Sequence, residues 1–252
     1  MPQKVQRTMI TLVTGGSRGI GRAVSVRLAR GGGHTIFVGY LQNETAAAET
    51  RQLVEAQGSR CVLCPANLSN PDEIDRLFGL VRNHTDVLHG FVHCAALNAF
   101  KPLAAVRPNQ WDLTMSIDAR GFLLCAQQAA HLMTGGGRMV ALSSLGATRV
   151  MPNYGAQGPA KAALEAVVRG LAVEFAPKGI NVNCVAGGLV ETDSIRKFPD
   201  ADHLIQSAVE CTPCGRIGTV EDIAGAVAFL MSADAVWVCG HTLVVDGGLS
   251  LL

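Results

Sequence analysis

The chain has 252 residues, 48% of them hydrophobic, which suits one large core in a single α/β domain with no second one. Its 21 lysines and arginines nearly cancel 20 aspartates and glutamates, so the balance gives no footprint for nucleic acid or an anionic membrane surface. Met1 to Thr8 is polar and basic, without the features of a secretory signal, and no apolar run reaches the ~18 residues of a membrane span, so a cytoplasmic location is expected.

Met9 to Val13 reads as the first strand and runs into Thr14-Gly15-Gly16-Ser17-Arg18-Gly19-Ile20-Gly21, which opens a helix over Gly19 to Arg30. A glycine-rich strand-to-helix turn lets backbone N–H groups approach a pyrophosphate, and the helix N-terminus adds partial positive charge. Gly15, Ser17, Arg18, Gly19, Ile20 and Gly21 are therefore candidate dinucleotide contacts. The second strand, Thr35 to Gly39, bears on which dinucleotide binds. NAD-binding proteins of this kind place an acid at its end, on the ribose 2′-hydroxyl. Here Val38-Gly39-Tyr40-Leu41-Gln42-Asn43 holds none before Glu44. The guanidinium fork of Arg18 suits a 2′-phosphate instead, so NADPH is expected ahead of NADH.

A helix over Asn43 to Gln57 and a strand over Cys61 to Pro65 follow. The chain has eight cysteines, and Cys61 with Cys64 and Cys211 with Cys214 have metal-like spacing. Strand alternation points the first two thiols to different faces and no knuckle glycine accompanies either pair, so reduced, mostly buried thiols are expected and no metal. Next come a helix over Pro71 to His84, a strand over Gly90 to Cys94, a helix over Trp111 to Met133 and a strand over Arg138 to Leu142. A helix over Tyr154 to Phe175, a strand over Ile180 to Val185, a helix over Val220 to Met231 and a strand over Thr242 to Val245 complete the alternation. The expected fold is a Rossmann-like, doubly wound, seven-stranded parallel sheet in one domain spanning 1–252. Glu191 to Arg216 lacks a strong period and contains Pro199 and Pro213. Ligands sit beyond the carboxyl ends of such strands, so 191–216 is a candidate substrate lid, with a surface loop and short helix as the alternative.

The glycine turn, Gly137-Arg138-Met139-Val140-Ala141-Leu142-Ser143-Ser144, Lys161-Ala162-Ala163-Leu164-Glu165-Ala166, Ala176-Pro177-Lys178-Gly179-Ile180-Asn181-Val182-Asn183 and Val245-Asp246-Gly247-Gly248 together resemble the short-chain dehydrogenases/reductases over essentially the whole chain. Ketone-reducing members carry a serine, a tyrosine thirteen residues on and a lysine four after that. Ser144 and Lys161 keep the total separation, but Gln157 stands four before the lysine, and an amide cannot supply a proton as a phenol can. The tyrosine is Tyr154, giving Tyr-x6-Lys. With Ser143-Ser144-Leu145-Gly146, Asn153-Tyr154, Val185-Ala186-Gly187-Gly188 and Phe198-Pro199, this resembles the enoyl-acyl-carrier-protein reductases, most of all their FabL type.

The resemblance implies NADPH-dependent reduction of the C2=C3 double bond of an enoyl thioester, on acyl carrier protein or coenzyme A, in fatty-acid or related acyl biosynthesis. In ketone reduction the acid lies beside the carbon that receives hydride, whereas an enoyl thioester builds charge on an oxygen two bonds farther away. A tyrosine displaced by one helical turn, about 5 Å, can follow that oxygen. The implied roles are Tyr154 as donor to the enolate, Lys161 as ribose-holding cation and Ser144 as auxiliary donor. Asn67 and Leu68 stand at the adenine position, and Cys94, Ala95 and Ala96 replace the usual Asn-Ala-Gly after the fourth strand. Gly187, Gly188, Leu189 and Thr192 neighbour the nicotinamide end. His93 replaces the first asparagine of that same family motif, and a histidine at a strand end is more often structural than a proton carrier. Asp118 fills the position of a common catalytic asparagine and either pairs with Lys161 or serves as a local polar group of its helix. The resemblance also implies a homotetramer built on the helices around Trp111 to Met133 and Tyr154 to Phe175. Arg149, Arg196 and Lys197 are candidate contacts for an acidic carrier. Two other readings stand beside this one: a 3-ketoacyl or other carbonyl reductase of the superfamily, and a dinucleotide-binding protein without turnover.

Overall fold

The computed structural model describes residues 8–97, 100–193, 195–197 and 200–252. The strands are β1 (Ile10–Thr14), β2 (Thr35–Tyr40), β3 (Arg60–Pro65), β4 (Gly90–His93), β5 (Gly137–Ser144), β6 (Ile180–Gly187) and β7 (Thr242–Val245). They form one parallel sheet in the order β3-β2-β1-β4-β5-β6-β7. The helices are α1 (Gly19–Ala29), α2 (Glu44–Glu55), α3 (Pro71–Arg82), α4 (Pro108–Met115), α5 (Gly121–Leu132), α6 (Gln157–Phe175), α7 (Ala201–Cys211) and α8 (Val220–Met231).

Both faces of the sheet are covered, which is why its strands read as nearly unbroken apolar runs. Val24 of α1, Val54 of α2 and Val227 of α8 pack with Val13, Val38 and Val140 on one face. Phe78 of α3, Phe122 of α5 and Leu164 of α6 pack with Leu12, Phe37 and Met139 on the other. Alternation along β3 sends Cys61 into the first core and Cys64 into the second. Strand order reverses between β1 and β4, whose ends meet at Thr14 and His93, and a crevice opens there beyond the carboxyl ends.

Two elements depart from the expectations, and a third takes the short helix of the alternative reading. The helix expected over Trp111 to Met133 starts at Pro108 and is interrupted by a π-helical turn over Ser116–Arg120, between α4 and α5. A β-carbon on Gly121 would lie 3.1 Å from the Ser116 carbonyl and 3.2 Å from that of Leu68, so glycine lets the widened turn press closely on the loop after β3 without displacing either carbonyl. The helix expected from Tyr154 begins at Gln157 instead. The Gly155 N–H donates to the Lys101 carbonyl at 2.9 Å, and Asn153 sits in the left-handed region at φ 60°, so the chain before Gln157 is committed elsewhere. Within 191–216 the chain forms α7, which starts after Asp200 and ends before Pro213, and which buries none of its residues.

Candidate active site

The glycine turn is folded tightly onto itself and onto the end of β4. A β-carbon on Gly15 would lie 2.6 Å from the Ala95 nitrogen, and one on Gly21 would lie 2.1 Å from the Gly15 carbonyl. Helix α1 then starts with no side-chain cap and no acid in its first turn, so its leading N–H groups remain available to an anion. Arg18 is exposed at this point and lines both the crevice and a hollow shared with Asn43, Thr45, Glu49, Glu191 and Asp193; among the described residues it forms no ion pair. Arg22, four residues on, is by contrast consumed by the Ser17 and Ala46 carbonyls, Thr50 and Glu49. The end of β2 contributes Gly39, Tyr40 and Leu41 to the crevice and no carboxylate. These features fit a dinucleotide pyrophosphate with a 2′-phosphate beside Arg18. Asn67 turns its amide oxygen back to the Ser69 N–H at 3.0 Å and hydroxyl at 2.8 Å, which fixes the floor at the adenine position.

At the end of β4, His93 is fully buried with Nδ1 hydrogen-bonded to Thr14 Oγ1 at 3.0 Å. The Phe91 and Phe122 rings flank it at 6.3 and 5.6 Å between centroids. Burial, aided by the Lys161 charge, lowers its pKa to about 3, so it stays a neutral packing group at ordinary pH. Burial also pushes the neighbouring Cys94 thiol up to about 12.

The reactive end is assembled from three segments. Strand β5 delivers Ser144, whose Oγ accepts from the Gly146 N–H at 3.2 Å. Helix α6 delivers Lys161, whose Nζ donates to the Leu142 carbonyl at 2.9 Å and pairs with Asp118 Oδ1 at 2.6 Å. Asp118 lies in the π-helical turn and its other oxygen accepts from the Leu97 N–H at 3.3 Å. Burial opposes the lysine charge, but Asp118 and Tyr154 outweigh it and hold the Lys161 pKa above its usual value. Of the two options for Asp118, the structure shows the ion pair.

Tyr154 precedes α6 and bridges to Lys101, while its ring stacks on Phe100 at 6.5 Å and lies directly over Gly146. Its placement therefore comes from this strand-like contact and not from one extra turn of helix. Burial raises its pKa, the Lys161 charge and a hydrogen bond with Ser144 oppose that, and Asp118 adds to it. Gln157 is fully buried, lies off the crevice, and neither polar atom of its amide has a hydrogen-bond partner.

Each residue expected to bind the dinucleotide or take part in the reaction lines this one crevice, from Gly15 to Thr192. Sequence reading missed the apolar wall around Tyr154, formed by Leu97, Phe100, Ile117, Met151 and Ile195. These come from loops and from the π-helical turn, where no period marks the inward face. Of the expected carrier contacts, Arg149 donates to the Ser250 and Leu252 carbonyls, and Arg196 pairs with Asp202 at 3.1 Å and Glu191 at 3.7 Å. Both arginines are thus already engaged; the Lys197 side chain, Phe198 and Pro199 lie outside the described residues. Thr192, Asp193 and Ile195 of the candidate lid reach the crevice and α7 does not. Among the described residues no helix is long and apolar enough to cross a membrane.

A family model described as enoyl-(acyl carrier protein) reductase matches residues 15–250. The 1-cyclohexenylcarbonyl-CoA reductase of Streptomyces collinus is 42% identical over 252 residues, covering 99% of this chain and 90% of that protein. A short-chain type dehydrogenase/reductase from Mycobacterium ulcerans superposes with a TM-score of 0.88 at 31% identity, over 96% of this chain and 90% of that one. The angucycline C-6 ketoreductase LanV, solved with NADP, gives 0.89 at 29% identity, over 97% and 96%.

Proposed function

The chain belongs to the short-chain dehydrogenase/reductase superfamily and is an NAD(P)-dependent oxidoreductase, and from that premise we propose that it reduces the C2=C3 double bond of an enoyl thioester with NADPH. The observation that carries this reading is the exchange of Gln157 for Tyr154. The position that serves ketone reduction holds a buried amide turned off the crevice, and the phenol at the crevice belongs instead to Tyr154, beside Ser144 and Lys161.

NADPH, when bound, supplies the hydride. As Cβ of the substrate receives it, the π electrons shift toward the thioester oxygen, and charge builds there. Tyr154 donates a hydrogen bond to that oxygen, Ser144 steadies the phenol, and Lys161 holds the nicotinamide ribose while its charge favours the anion. One such donor is worth roughly 3 kcal/mol in the transition state. Cα then takes a proton from water as the enolate collapses. The apolar wall of Leu97, Phe100, Met151 and Ile195 takes the acyl group. Arg18 and the uncapped start of α1 receive the 2′-phosphate and pyrophosphate.

Coenzyme A is favoured as the carrier, because the Streptomyces relative is named for a coenzyme A thioester and Arg149 and Arg196 are already engaged. The FabL likeness rests on the Tyr-x6-Lys spacing and its neighbouring words. A homotetramer built on α4, α5 and α6 belongs to the same reading. The named function of LanV favours carbonyl reduction as the second reading. NADPH oxidation with crotonyl-coenzyme A against acetoacetyl-coenzyme A separates the two. Tyr154→Phe is expected to keep NADPH affinity and lose at least ~10²-fold in turnover on the crotonyl thioester; undiminished turnover refutes the assignment.

A further inference from the structure

The charge arrangement around Lys161 goes beyond placing a cation in the site. Its ammonium has three N–H donors. One is given to the Leu142 carbonyl at 2.9 Å, and Asp118 Oδ1 stands 2.6 Å away. The two side chains are 6% and 0% exposed, so the ions meet where water screens them little. Asp118 is held from its other side by the Leu97 N–H, and the π-helical turn brings its carboxylate inward between α4 and α5. The usual residue here in the superfamily is a neutral asparagine, which leaves the lysine an uncompensated cation. A carboxylate makes the site net neutral before substrate enters.

We propose that Asp118 is a positioning residue that makes Lys161 half of a buried neutral pair, so that Tyr154 meets the forming enolate as a hydrogen-bond donor that keeps its proton. This rests on reading Tyr154 as the oxyanion donor. Ketone reduction needs a tyrosine that releases its proton to oxygen, and an unpaired lysine promotes that release. Double-bond reduction sends its proton to carbon, so a phenol that holds its hydrogen through the step is the better partner. Asp118 opposes the pull of Lys161 on the phenol, while Lys161 keeps one N–H free for the ribose.

Other charged or titratable groups facing Lys161 come from β4 and β6. Burial lowers the His93 pKa to about 3 and raises those of Cys94 and Cys184 to about 12. None of the three titrates between pH 6 and 10, and with Asp118 present Tyr154 and Lys161 are both held above their usual values, so an alkaline limb that enters that window once the carboxylate is removed reports the Lys161–Tyr154 pair. Removing the carboxylate moves both members the same way, because each loses an anion that favours its protonated form.

The test is Asp118→Asn, with Asp118→Ser as the second variant should the first not fold. The alkaline limb of kcat/KM is expected to fall by at least about one pH unit. The chain holds two tyrosines, Tyr40 and Tyr154. In a Tyr40→Phe background without ligand, tyrosinate absorbance therefore reports Tyr154 alone, and its titration is expected to fall with the limb. Superimposable titrations with and without Asp118 overturn the proposal, even where Tyr154→Phe abolishes turnover. Conversely, full turnover in Tyr154→Phe removes the functional reading, while the absorbance titration still decides whether Asp118 governs the phenol.

Discussion

Gly146 is where the phenol of Tyr154, the proposed donor, can be displaced without touching it. A β-carbon there would lie 2.4 and 2.5 Å from the Cδ1 and Cε1 atoms of Tyr154, and 3.3 Å from the Met151 sulfur. Gly146 is not among the residues with positive φ, so alanine is acceptable to the backbone and the ring is what must yield. Restoring ordinary contact at about 3.4 Å moves the ring by roughly 1 Å, and a shift of that size at a catalytic group costs on the order of 10²-fold. Overpacking adds about 1–3 kcal/mol of instability. Gly146→Ala is therefore expected to lose about 10²-fold in kcat on crotonyl thioester while NADPH affinity, followed by fluorescence titration, stays within a factor of a few. In a Tyr154→Phe background the ring clash persists but the hydroxyl is gone, so the second substitution should cost little further activity. Unchanged kcat in a folded Gly146→Ala protein, or full additivity in the double variant, would refute the link between this glycine and the phenol.

Two further outcomes are expected. Arg18→Glu should raise the KM for NADPH by roughly 10-fold or more while leaving that for NADH nearly unchanged, since it removes a cation from the 2′-phosphate; equal effects on both would exclude Arg18 from that contact. His93 titrates near 6.5 when unfolded but at about 3 in place, so below pH 6.5 the unfolded chain binds a proton that the folded protein refuses. Stability therefore falls as pH drops from about 6.5 toward 3, by about 2–3 kcal/mol at pH 4.5 from this site. Urea melts of His93→Asn at pH 7 and 4.5 should show that increment missing; identical pH dependence in both proteins would contradict it.

All seven strands and their parallel arrangement were legible because two buried faces force apolar continuity. Some strand ends were not. β5 and β6 run on through Ser143, Ser144, Ala186 and Gly187, poor strand formers held by pairing with each other across the sheet. The residues proposed to react were picked out by the family resemblance and its spacing, yet the placement of Tyr154 depends on Lys101 and Gly146, contacts that no local period reports. The widened turn at Asp118 escaped for the same reason, since its partners Lys161 and Leu97 come from other elements. Helix α7 carries Leu204, Ile205, Ala208 and Val209 on one side, but they are only half-buried and the run between Pro199 and Pro213 is too short to show a strong period.

The interior position of β1 also shapes how the sheet is completed. Its partner β4 lies 79 residues downstream, measured from Thr14 to His93. At synthesis rates of about 5–20 residues per second, that edge waits roughly 4–16 s for its neighbour. During that interval one edge of Ile10–Thr14 has no native strand beside it, and that edge closes only when Gly90–His93 has been made.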